Sequence, residues 1–347
     1  MRFSNNKFES YSRGFVFQRK NGEFFTNACI IELLNRDFGF KVVTIFHVKN
    51  LIFRFILSFF LLLRCLPLLF ANRILITQFP PKFEEIPTIL LAHAMRRRNI
   101  VIVHDLDHLR GIENRGLKFF RDPFGFKMLR ESQVIIQDGP MQIILEQEGI
   151  SQTAKFEIWP YFIQDKSSRI RPEIFAAKLK PSVVFAGHFE RRKSQFLAEM
   201  YTLNFPIHIY GRTNGEFSDL FNVVIHGEFK DGAPPNFPWP ALGLIWDGDS
   251  VNGLTGIYGN YHKLNLPAKF SLYMSLGIPV IVSKDSALGN LVSKNRLGFV
   301  VSNLHEIPKY VESKEWMSIC KNVDKMGERA RRGTDIFEAM LSLLIRR

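Results

Sequence analysis

Lys269, Ser271 and Tyr273 fall within five positions at the start of a helix that Pro267 opens. Proline suits a first helical turn, where its missing N–H costs nothing. The free N–H groups and the positive dipole end make such a turn an anion site. A lysine there has the wrong sign for the dipole unless an anion neutralises it. The Lys269 ammonium is therefore expected to face solvent until a phosphorylated ligand arrives. Ser271 and Tyr273 are expected to offer hydroxyl donors to the same ligand. The plain alternative is a solvated lysine on an ordinary amphipathic helix.

Three further clusters have residue types suited to the same chemistry. In VVFAGHFERRKSQF, a strand ends at Gly187, and Arg191, Arg192 and Lys193 enter the next element. Arginine forks match phosphate oxygens, although a solvated basic turn has the same spelling. In IHIYGRTN, Tyr210 ends another strand, and its ring is either a core tyrosine or a platform for a base. In IVIVHDLDHLRG, His104 and Asp105 leave a strand end, followed by Asp107, His108 and Arg110. A carboxylate or imidazole there is placed to act as a general base; a helix-capping aspartate is the other reading. Asp105 is the first candidate and His104 its rival. Ser12-Arg13-Gly14 reads as a glycine loop able to reach a reacting centre.

These clusters need sheets to carry them. Short β-rich runs at 41–46, 73–77, 100–103 and 133–136 alternate with helical patterns at 25–36, 51–66, 83–97 and 116–129. The alternation restarts after a polar stretch at 164–180, with runs at 182–187, 207–211, 222–226, 243–246 and 278–282. The βαβα order predicts an α/β protein of two doubly wound, Rossmann-like domains facing across a cleft. The expected divisions are 1–165, 181–325 and a C-terminal helix over 326–347. Ligands in open α/β sheets bind beyond the carboxyl ends of the strands, where all four clusters fall.

The chain has 347 residues and a net charge of +13, which favours a polyanionic partner such as a phosphorylated molecule or an anionic membrane surface. Nucleic acid is set aside, because no helix-turn-helix or aromatic RNA-binding string accompanies the charge. Three scattered cysteines form no metal spacing, so no metal is expected and a reducing cytoplasm is the expected location. The first 25 residues are polar and mixed, unlike a signal peptide. The segment 51–70 is the most apolar, yet its longest uncharged run spans nine residues, 55–63, between Arg54 and Arg64. A spanning helix needs about 20 apolar residues. The segment is read either as a buried helix or as one lying on the inner face of the cytoplasmic membrane.

Four strings together resemble a bacterial glycosyltransferase family. It includes the β-1,6-galactofuranosyltransferases of O-antigen synthesis and the third glucosyltransferase of streptococcal adhesin glycosylation. The strings are HDLDHLRG (104–111), AGHFERRKS (186–194), GLIWDGDSV (243–251) and YGNYHKLNLPAKFSLYMSLGIPVIV (258–282). The resemblance implies a two-domain GT-B enzyme that uses UDP-sugars without a catalytic metal or other cofactor and that self-associates. It implies that Arg191, Tyr210 and Lys269 hold the UDP moiety, with Lys193 in the same basic turn. Asn260 and Tyr261 would lie in a loop beside it, and Gly14 in a loop near the sugar. This chain reads NGLTG at 252–256 and NLPAK at 265–269, where the family often has ETCSG and NNPHK. The expected reaction is an inverting transfer of a hexose, galactofuranose first, to a lipid-linked or protein-linked glycan. A non-catalytic nucleotide-sugar-binding subunit is the alternative.

Overall fold

In a computed structural model of the chain, the structure describes residues 14–20, 25–46, 48, 50–106, 109, 118–163, 179–187, 189–213, 217, 220–230, 232–313 and 315–345. Asp107, His108, Arg110 and most of the 164–180 stretch lie outside the described residues. The chain divides into two compact units, 1–156 with 333–347, and 157–332.

The first unit runs β1 (Gly14–Lys20), α1 (Phe25–Phe38), β2 (Lys41–Phe46), α2 (Leu51–Phe70), β3 (Ile74–Phe79), α3 (Ile86–Ala94), β4 (Asn99–Val103), α4 (Lys118–Arg130), β5 (Gln133–Gln137), α5 (Pro140–Gln147) and β6 (Thr153–Phe156). Its six strands are parallel in the order β2-β1-β3-β4-β5-β6. Burial on both faces explains the continuous apolar runs, with every residue of β4 buried. Two strands, β1 and β6, have no counterpart in the sequence reading. Gly14 is accordingly corrected: it opens β1 opposite Ile74, at the amino end of the strand, and is not part of a flexible loop. Its lack of a side chain makes room for Phe40, whose ring would lie 2.8 Å from an added Cβ.

The second unit runs β7 (Ser182–Ala186), β8 (Ile207–Tyr210), β9 (Val223–Ile225), β10 (Ala241–Ile245), α6 (Gly256–His262), α7 (Ala268–Leu276), β11 (Val280–Ser283), α8 (Gly289–Asn295), β12 (Gly298–Val301), α9 (Ile307–Glu312) and α10 (Glu315–Arg332). Its sheet is also six-stranded and parallel, in the order β12-β11-β10-β7-β8-β9. Phe185, Phe196, Leu244, Trp246 and Trp316 form part of one buried apolar cluster. Two Rossmann-like parallel sheets of this kind are the GT-B-like class expected.

The C-terminal segment departs from the single helix expected over 326–347. It is α10 and then α11 (Thr334–Ile345), broken at Gly333, whose φ is +67°. α10 belongs to the second unit. It buries Trp316, Ile319, Cys320, Val323, Met326, Gly327 and Ala330 at helical spacing, against α7. α11 returns to the first unit, where the Phe337 ring lies tilted 5.0 Å from that of Phe38 and Arg98 donates to the Leu343 carbonyl. The segment after β6 joins the second unit. There Trp159 Nε1 donates to the Leu266 carbonyl at 3.0 Å, and Arg329 pairs with Glu157 at 2.9 Å.

Candidate active site

β7, β8 and β10 end at one edge of the second sheet, because neighbouring strands pair in register (Val183 with both Ile207 and Leu242). The strand ends are drawn close. A Cβ on Gly211, at φ +145°, would stand 1.7 Å from the Gly187 carbonyl oxygen, so only glycine fits.

α7 starts at this edge. Pro267 is its N-cap, and Gly277 closes it in the left-handed conformation, with its N–H on the Met274 carbonyl. Every residue from Phe270 to Leu276 is buried. One expected ligand donor, Tyr273, is thereby corrected. The Tyr273 hydroxyl accepts from the Ala186 N–H at 2.7 Å and donates to the Val184 carbonyl at 3.2 Å, tying α7 to β7. Its ring occupies the place of a side chain at Gly243, where a Cβ would lie 2.6 Å away. Burial pushes the Tyr273 hydroxyl far above its ordinary pKa, so it stays protonated. Ser271 is likewise fully buried, and its hydroxyl has no hydrogen-bond partner among the described residues.

Lys269 is the α7 residue at the edge, and it is not in open solvent. Its side chain is 11% exposed, with Nζ 3.2 Å from Asp247 Oδ1 and 4.4 Å from the centre of the Phe185 ring. Asp247 Oδ2 lies 3.3 Å from His262 Nδ1, and His262 Nε2 is buried without a partner among the described residues. Burial drives the Lys269 pKa down to about 8, opposed by Asp247 and assisted by Lys193. The ammonium stays charged at neutral pH. Burial raises the Asp247 carboxyl, but Lys269, then Lys193 and His262 outweigh it and hold it well below the usual range.

Lys193 and Lys269 thus act on one carboxylate. The basic turn is folded onto the same loop, since the Gly248 N–H donates to the Lys193 carbonyl at 3.0 Å. Arg191 and Arg192 are exposed beside it, and the Arg192 guanidinium sits 5.6 Å from the Tyr258 ring centre. Tyr210 also ends at this edge. Its ring is buried and stacked on His226 at 4.4 Å, so one face is already covered. Asn260 and Tyr261 are corrected from loop to helix: both lie on α6, Asn260 exposed and accepting from Lys263 Nζ, Tyr261 buried.

In the first unit, His104 and Asp105 follow β4 directly, both half-buried. His104 Nε2 lies 2.7 Å from Gln78 Oε1, and its backbone N–H donates to the Phe79 carbonyl. Burial lowers the imidazole pKa to about 4 against the pull of Asp105. The ring is neutral at pH 7.

Two members of the cluster escaped the sequence reading. Asp247 lies just past a strand end in LIWDGDS, and His262 has no local signal at all. No group of three metal-ligating side chains occurs among the described residues.

Residues 183–342 match the family model described as Glucosyltransferase 3-like, C-terminal domain. The chain is 29% identical over 257 residues to the Beta-1,6-galactofuranosyltransferase WbbI of Escherichia coli (strain K12), covering 71% of this chain and 72% of that one. It is 26% identical over 163 residues to Glucosyltransferase 3 of Streptococcus parasanguinis, covering 46% of each. Among solved structures it resembles sucrose-phosphate synthase from Thermosynechococcus elongatus, with a TM-score of 0.59 at 14% identity over 94% of this chain and 97% of that chain. The family resemblance drawn from the four strings is borne out.

Proposed function

Taking as premise a glucosyltransferase 3-like C-terminal domain at residues 183–342, we propose that the chain is a glycosyltransferase that moves a hexose from a UDP-sugar to a glycan acceptor. The observation that carries this reading is the cationic cluster at the carboxyl edge of the second sheet. Lys269 and Lys193 act together on Asp247 beside the first turn of α7, with Arg191 and Arg192 in the adjoining turn. A leaving diphosphate gains one negative charge as its bond to the anomeric carbon breaks. Preorganised cations and helix N–H groups at that point stabilise it, the work a metal does elsewhere. The transfer is therefore proposed to be metal-independent.

The likeness to a galactofuranosyltransferase supports galactofuranose as the sugar, and a lipid-linked polysaccharide is the acceptor we propose. The matched domain model favours glucose as the second donor to try. The reaction is a single in-line displacement. The acceptor oxygen bonds to the anomeric carbon, the carbon–oxygen bond to UDP breaks with its electron pair, and the acceptor proton passes to a base of the first unit. His104 is the first candidate for that role, because its contact with Gln78 fixes the ring, and Asp105 is its rival.

Incubation with a panel of UDP-sugars under chelator, reading UDP release, tests the proposal. Release from UDP-galactofuranose or UDP-glucose is expected. Release only on addition of a divalent cation, or from no UDP-sugar, contradicts it.

A further inference from the structure

α2 is capped by Asn50, whose Oδ1 accepts from the Ile52 N–H at 2.9 Å. One face of the helix, Ser58, Leu61, Cys65, Leu68 and Leu69, is buried against the first unit. Its opposite face carries Ile52, Ile56, Phe59, Phe60, Leu63 and Phe70, exposed by 44–69%. Soluble monomers rarely leave so continuous an apolar face uncovered.

Basic side chains flank this face. Arg54 turns inward to Glu84, at 2.6 Å, and Glu84 and Glu85 are both buried. Arg64 lies on the exposed flank of α2, and it and Lys41 both act on the Cys65 thiol. The far end of α2 leads into Arg73, while Arg97 donates to Asn72 in the same turn and Arg96 is exposed beside it.

We infer that α2 docks in the plane of an anionic lipid bilayer, with Ile56, Phe59, Phe60 and Leu63 among the acyl chains and Arg64, Arg73 and Arg96 at the headgroups. The helix is long and apolar enough to cross a membrane. Its inward face and the Arg54–Glu84 pair tie it to the first unit, so it lies flat instead. A second copy covers the face less well, because apposing two of them brings the cationic rims together, whereas an anionic leaflet matches both the apolar strip and its rim. This inference stands apart from the proposed chemistry.

Flotation of the full chain with vesicles tests it. Binding is expected to vesicles that include phosphatidylglycerol and to fall in high salt. Phe59→Glu with Phe60→Glu abolishes it, and Arg64→Gln with Arg96→Gln lowers partitioning by about tenfold or more. Four outcomes overturn it. They are no flotation, flotation unmoved by the phenylalanine variant, equal flotation on neutral phosphatidylcholine vesicles, and concentration-dependent self-association in sedimentation that the phenylalanine variant removes.

Discussion

Lys269 Nζ lies 3.2 Å from Asp247 Oδ1, and the same carboxylate turns its other oxygen to His262 Nδ1 at 3.3 Å. Both partners of the ion pair are largely buried. Removing one strands the other in a poorly solvated place. Lys269→Met is expected to cost about 3–5 kcal/mol of stability. Replacing the pair together, with Asp247→Asn, should cost less than the sum of the single changes. Chemical denaturation of the three variants checks this coupling.

The pair also sets an acid limit. The Asp247 carboxyl is held below its ordinary value of 3.8 by Lys269, Lys193 and His262, which outweigh the opposing effect of burial. A depressed carboxyl contributes stability that is present above its unfolded pKa and lost as the pH falls below it. Unfolding free energy measured from pH 6 down to 3 should fall less steeply below about 4 in Asp247→Asn than in the native protein.

Alkaline pH is expected to weaken UDP binding. Lys269 is charged below about 8 and neutral above it, so the cation offered to the diphosphate disappears as pH rises. Affinity should hold steady up to about pH 8 and then fall by at most about tenfold per unit. Lys269→Arg keeps its charge and should give a flat profile above pH 8, which also controls for titration of the ligand. Calorimetry across the range reads both.

The base is tested by a pair of isosteric changes. His104→Gln is expected to cost about 10²–10⁴ in turnover with UDP affinity unchanged, because the amide has no imidazole lone pair. Asp105→Asn, made in parallel, should retain most of the turnover. The reverse pattern moves the base to Asp105, and loss of UDP binding in both assigns the stretch to structure.

Much of this architecture was legible in the chain. The runs at 41–46, 100–103 and 133–136 became β2, β4 and β5 because parallel strands buried on both faces are written as unbroken apolar strings. β1, β6 and β12 were missed: GFVFQRK ends in charge, while TAKF and GFVV are too short to show a period. Lys269 was legible as a residue at a helix start, but its neighbours were not. The ion pair joins positions 22 apart, and no local pattern announces that Asp247 meets Lys269 or that His262 meets Asp247. Tyr273 misled for a related reason. A hydroxyl near a helix start reads as a donor to a ligand, whereas α7 is buried over nearly all its length and the hydroxyl satisfies β7.

UDP titration under chelator, on the native protein and on Lys269→Met, bears most directly on the proposed chemistry. Without any divalent cation, UDP should bind and protect, adding about 2.7 kcal/mol at a hundred times its dissociation constant. In Lys269→Met, checked as folded by its melting transition, affinity should fall by about 1.5–3 kcal/mol, the worth of a charge-assisted contact to phosphate. Lys193→Ala, outside the buried pair, should weaken binding in the same direction. Binding that requires a metal, or affinity unmoved in both variants, would contradict a diphosphate held by this cluster.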